Sequence, residues 1–211
     1  MLTLENASRW YPDHDAVHGF DHIERVYAMC DRIGRAEGAD MRILLAAALL
    51  HDSQGSHPQE GQRNDHHLRS ADFAQEVLKA EGWTSADIAA VQHCIRAHRY
   101  RDHEEAPATL EARILFDADK LDVIGAIGVV RALAYAQQIQ QPAYAKPSRL
   151  FIEKQVKESG EPHSAYHEYL FKLKGISEML FTQTARQMAV LRQQTLDAFF
   201  EELAAEMAGD H

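Results

Sequence analysis

Residues 40–52, Asp40-Met41-Arg42-Ile43-Leu44-Leu45-Ala46-Ala47-Ala48-Leu49-Leu50-His51-Asp52, decide how this chain folds. From Met41 to Leu50 every residue except Arg42 is apolar, so a helix over this stretch is greasy nearly all round and belongs inside a core, not on a surface. Asp40 supplies an N-cap acceptor at its start. The segment then ends in two titratable side chains, His51 and Asp52. Ending the most apolar helix in this way costs stability unless something there compensates their desolvation, and a metal ion is an efficient partner.

Working outward, the flanking segments repeat the 3.6-residue period, and no alternating Val/Ile/Thr runs suggest strands. An all-α chain is expected. Upstream, a helix starts near Asp21 and carries His22, Val26, Met29, Cys30 and Ile33 on one side before Gly34 and Gly38 end it. Downstream lie a polar loop from Ser53 to Asn64 and a helix from Asp65 or His66 to Lys79. Thr84 or Ser85 then opens a helix with Ile88, Val91, Cys94, Ile95 and His98 on one stripe. After a charged loop, Arg99 to Ala108, one further helix places Ala112, Leu115, Phe116, Asp119, Val123, Ala126, Ile127 and Val130 inward, with Gly125 and Gly128 allowing a neighbouring helix to approach. Asp117 lies roughly 200° around that helix from Asp119, so the two cannot face one point. Residues 140–162, with Pro142, Pro147, Gly160 and Pro162, read as a long excursion that could serve as a lid. The last third, Tyr166 to Met207, reads as two amphipathic helices or one broken near Thr182.

The chain has 211 residues, 32 acidic against 22 basic for a formal net charge of -10, and 45% hydrophobic residues. That length supports one substantial core or at most two small ones, one compact domain being expected, and a surface of that sign repels a nucleic-acid backbone. Cys30 and Cys94 offer no disulfide framework. No stretch approaches the ~20 apolar residues of a membrane span, and Met1 to Tyr11 lack the features of a signal peptide. The expected setting is cytoplasmic, without nucleic acid or membrane as partner.

His22, His51, Asp52 and Asp119 thus stand at inward positions on three helices. Taken singly, each has a bland reading: His22 or His98 as a hydrogen-bonded core histidine, His51-Asp52 as a solvated helix end. Together they form a coherent set of imidazole and carboxylate ligands for a divalent cation with open positions.

His22, the His51-Asp52 pair and Asp119 within Phe116-Asp117-Ala118-Asp119-Lys120-Leu121 resemble the HD superfamily of metal-dependent phosphohydrolases. Asp21 to Val26, Asp117 to Arg131, and the tail with His167, Lys172-Leu173 and Thr184-Ala185-Arg186 are similar to a bacterial subgroup of stand-alone HD-domain hydrolases. The resemblance implies a single HD-type helical bundle over residues 1–211, with a metal-binding core at about 18–135 and helices at about 164–207 packed on it. It implies one divalent ion on His22, His51, Asp52 and Asp119, with manganese first and magnesium, iron, cobalt, nickel or zinc as alternatives. Asp119 is preferred to Asp117 as ligand by its Ala-Asp-basic-Leu context and its apolar stripe; Asp117 is left between support of the ligands and helix surface.

Similar enzymes cleave nucleoside triphosphates to monophosphate and pyrophosphate, and that reaction is the expectation here. Asp52 would ligate and orient, and Lys120, Arg25, Arg63 and Arg69 would meet the phosphates, Lys120 foremost. His98 or His18 would donate a proton or add a ligand. Gly55 stands where HD enzymes acting on nucleoside monophosphates or the stringent-response alarmone carry an acid, which disfavours those activities. For a second metal only His67, His93 and His98 are available, so one ion is expected. The partner is a small phosphorylated substrate, above all a nucleotide, and a homodimer is allowed. The alternatives are a phosphomonoesterase or phosphodiesterase on another small metabolite, and a nucleotide-binding HD module without turnover.

Overall fold

Caps start the helices largely where the sequence places them. In the computed structural model, which describes residues 2–11, 19–55, 65–99 and 105–210, the Asp40 carboxylate accepts from the backbone N–H groups of Arg42 and Ile43 at 2.9 and 3.2 Å. The Thr84 and Thr109 hydroxyls accept from Asp87 and Ala112 N–H, each at 3.2 Å. Such bonds satisfy donors that a helix start leaves unpaired. Every regular element among the described residues is helical, as expected: α1 (Leu4–Ala7), α2 (Phe20–Glu37), α3 (Met41–Leu50), α4 (His66–Ala80), α5 (Ser85–Ala97), α6 (Leu110–Leu121), α7 (Gly125–Gln138), α8 (Arg149–Lys154), α9 (Ala165–Phe171) and α10 (Gln183–Ala208), with short 3₁₀ turns at Ser8–Trp10 and Leu173–Met179.

The chain divides into two compact units, residues 1–122 with 180–187, and residues 123–179 with 188–211. In the first, α3 packs against α1, α2, α4, α5 and α6. It is the central helix its composition demands, and Leu44, Ala47, Ala48 and Leu50 are fully buried. Gly34 lies inside α2 instead of ending it, because α3 crosses there: a Cβ on Gly34 would come 2.5 Å from Leu44 Cδ2. Gly38, at φ 79°, ends α2 in the left-handed conformation that glycine tolerates. In the second unit, α7 and the 3₁₀ turn pack on α9, and the Tyr169 ring stacks on Phe200 of α10 at 4.7 Å.

The single helix expected from Ala112 to Val130 is two. Gly125, at the start of α7, adopts φ 77°, outside the right-handed helical range, and marks the break after α6. The helical phase restarts in α7, so Ile127 and Val130, expected inward, are 39% and 62% exposed. Gly125 does meet a neighbouring helix, at Arg192 Cβ and Cγ, whereas the closest approach to Gly128 comes from the backbone carbonyl of Val123 in the preceding turn. The excursion at 140–162 contains α8, unforeseen from its prolines. The break near Thr182 is present between the 3₁₀ turn and α10.

Candidate metal centre

His22 is the third residue of α2, on the stripe that buries Val26, Met29, Cys30 and Ile33. His51 follows α3 directly and its Nδ1 lies 2.9 Å from the Ala48 carbonyl, an acceptor that α3 leaves open at its end. Asp52 is the next residue, 8% exposed. Asp119 comes from the last turn of α6. These four side chains converge.

The ligand atoms of His22, His51 and Asp119 lie within 4.8 Å of one another, as do those of His51, Asp52 and His98. His22 Nε2 is 3.4 Å from His51 Nε2, 3.5 Å from Asp119 Oδ1 and 3.9 Å from Asp52 Oδ2. His51 Nε2 is 3.8 Å from Asp52 Oδ2.

The proton positions follow from the acceptors. The Ala48 carbonyl can only accept, so His51 Nδ1 donates. The Asp122 carboxylate, held by Arg25, likewise accepts from His22 Nδ1 at 2.7 Å. In the neutral rings both Nε2 atoms therefore present lone pairs to each other across 3.4 Å, in a buried place with two carboxylates beside them. Asp52 Oδ1 is also buried without a hydrogen-bond partner, with His66 Nε2 3.2 Å and His98 Nε2 3.5 Å away. Lone pairs and an unsatisfied carboxylate oxygen converging on one point fit a cation. A mixed imidazole and carboxylate set suits first-row transition metals better than calcium.

The electrostatics keep both carboxylates ionised. Burial by itself would raise Asp52, but His51, His66 and His98 outweigh it and hold it well below the usual carboxylate range. Burial works the same way on Asp119, where Lys120 and His22 prevail and its carboxyl is lowered. Burial pushes the His98 imidazole down to about 4 despite Asp52. Its Nδ1 meets the Ile95 carbonyl and its Nε2 lies 3.5 Å from Asp52 Oδ1.

The residues expected to meet phosphate are placed as follows. Lys120 is buried with its Nζ 2.6 Å from Asp119 Oδ2, 3.4 Å from the His98 carbonyl and over the Phe116 ring at 4.8 Å, so its charge serves Asp119. Arg25 binds Asp122 and Asp21. Arg69 is half-buried on α4. Arg63 and His18 lie outside the described residues. Of the histidines weighed for a second metal, His93 binds Glu105 at 2.6 Å, His67 is buried with its Nδ1 unpaired, and only His98 lies against Asp52.

The sequence reading passed over His66, although it opens the α4 stripe of Ser70 and Ala74, both buried. It also missed Asp122, which an acid at a helix C-terminus, against the dipole, would have flagged. Asp117 proves fully buried, not surface: its carboxylate accepts from Phe181 N–H at 2.8 Å and from Thr182 N–H and Oγ1 at 2.7 Å each.

Two histidines and two aspartates brought together in an all-helical unit define a candidate metal centre of the HD type. A family model described as HD domain matches residues 19–124. The uncharacterized protein YpgQ of Bacillus subtilis (strain 168) is 30% identical over 200 residues, 93% of this chain and 88% of its own. The chain therefore belongs to the HD domain family. The solved structure of Bacillus subtilis YpgQ in complex with ADP matches at TM-score 0.75 and 26% identity, covering 98% of this chain and 99% of that one. A predicted HD superfamily hydrolase from an uncultured Thermotogales bacterium matches at TM-score 0.64 and 27% identity, covering 97% and 90%.

Proposed function

We propose that this protein is a divalent-metal-dependent phosphohydrolase of nucleotides that cleaves nucleoside triphosphates to monophosphate and pyrophosphate, with manganese on His22, His51, Asp52 and Asp119. The observation that carries the reading is the 3.4 Å approach of two imidazole Nε2 lone pairs beside two ionised carboxylates. A divalent ion there supplies Lewis acidity, which polarises a phosphoryl oxygen and lowers the pKa of water. The ADP bound by YpgQ supports a nucleotide as the ligand class.

The chain's own groups divide the remaining tasks. Lys120 neutralises Asp119 Oδ2 and leaves Oδ1 turned to His22. His98 Nε2 and Asp52 Oδ1 are acceptors that orient an attacking water and take up its proton; in pyrophosphohydrolysis that water adds to phosphorus and the bridging oxygen leaves with pyrophosphate. Lys120, Arg25, Arg63 and Arg69 are the cations proposed for the substrate phosphates.

The test is a product assay of metal-stripped protein against nucleoside mono-, di- and triphosphates, with and without manganese, resolving phosphate from pyrophosphate. Manganese-dependent pyrophosphate release is expected from triphosphates. Orthophosphate as the sole product, or turnover indifferent to metal, would sink the assignment.

A further inference from the structure

We propose that Asp122 is the positioning residue of this centre: through one carboxylate it fixes the tautomer and orientation of His22, while Arg25 clamps that carboxylate in place. The inference rests on reading the centre as metal-binding.

Asp122 caps the C-terminal end of α6 and is 1% exposed. Neither fact favours an aspartate. A negative charge opposes the helix dipole at that end, and a buried carboxylate loses its hydration. Its surroundings supply the reason. Oδ2 receives the His22 Nδ1–H at 2.7 Å, and Arg25 donates from Nε to Oδ1 at 2.7 Å and from Nη2 to Oδ2 at 3.1 Å. The two-pronged contact fixes the carboxylate plane as well as its charge. Arg25 Nη1 is itself tied to Asp21 at 2.6 Å.

The spacing makes this a device of two helices. His22 and Arg25 are three residues apart on α2; Asp119 and Asp122 are three apart on α6. Residues at that spacing share a helix face. One member of each pair thus reaches the centre, while Asp122 holds the histidine of α2 and Arg25 holds Asp122. A carboxylate on Nδ1 keeps Nε2 free of its proton and makes the ring a stronger donor to a metal. His51 has only a neutral carbonyl in that role, so the two histidine ligands are unequal and His22 is the stronger.

Manganese(II) titrated by calorimetry into metal-stripped full-length protein is expected to bind D122N and D122A about 10–100-fold more weakly than wild type, with helix content by circular dichroism unchanged. In the metal-free state, nitrogen NMR of the imidazoles should show His22 as the Nδ1–H form in wild type. In D122N it should move toward Nε2–H, because Arg25 retains the amide oxygen and turns the NH₂ toward the ring. Should the Asp122 variants fail to fold, R25M takes their place: it removes the clamp and should weaken manganese binding several-fold. Wild-type affinity in a folded variant, or weakened affinity with the His22 tautomer unchanged, overturns the proposal. A wild-type protein that binds no manganese overturns instead the metal reading on which it rests.

Discussion

At Glu168, the first acidic residue of α9, the carboxylate lies 3.0 Å from His163 Nε2 and 3.1 Å from Lys172 Nζ. Burial alone would raise its pKa, but the bond from His163 and the charge of Lys172 outweigh it and hold the group at about 2, below the ordinary 4.5. A carboxyl depressed in the folded state adds stability that is complete above its unfolded pKa and is lost as pH falls through the folded value. Acidification from pH 4.5 to 2 should therefore cost wild type on the order of 1–3 kcal/mol through this residue, a loss that E168Q does not share. Urea unfolding of both proteins across that range checks it; parallel pH profiles would refute it. The same competition between burial and partners operates at Asp52 and Asp119, with histidines and Lys120 as the partners. There the charge is kept where a cation can use it.

Among elements, the join between α6 and the start of α10 is made by one side chain. Asp117 accepts three hydrogen bonds from Phe181 and Thr182, and the Thr182 hydroxyl accepts in turn from Ala185 N–H at 3.3 Å. A carboxylate beside backbone N–H groups at a helix start is favourable, and nothing in this contact involves Asp119 two residues along. D117N leaves one of two acceptor oxygens and turns an NH₂ toward donors. It should destabilise the protein by about 1–3 kcal/mol with manganese affinity unaltered. Denaturation and calorimetry on the same variant separate the two effects, and a loss of metal affinity as large as that of a ligand variant would show that Asp117 belongs to the centre. Helix α6 thus carries three carboxylates with three duties: Asp117 anchors, Asp119 faces the histidines, and Asp122 holds His22 from the helix end.

For the whole molecule, a cation that binds only the folded chain raises its stability by mass action, by about 2.7 kcal/mol at one hundred times the dissociation constant. Manganese should raise the melting temperature of wild type and leave those of H51A and D119A unmoved, both variants remaining helical by circular dichroism. An equal shift in H51A would place the ion elsewhere. None of the helices described is long and apolar enough to cross a membrane, and HD-family membership accords with the reading from His22, His51-Asp52 and Asp119. The sequence by itself determined the helical class, the centrality of Met41 to Leu50 and the residue types that meet in the candidate centre, because apolar periodicity and caps act over a few neighbouring residues. It could not foresee the break at Gly125, since glycine is compatible with both a helix interior and a left-handed turn. Nor could it tell that Lys120 and Arg25 serve carboxylates or that His66, not His67, lies against Asp52. Apart from Lys120, whose partner Asp119 is its neighbour in sequence, those outcomes depend on which side chains meet across 14 to 97 residues of chain, and only packing of the helices against one another decides where a lone pair points and which charge answers it.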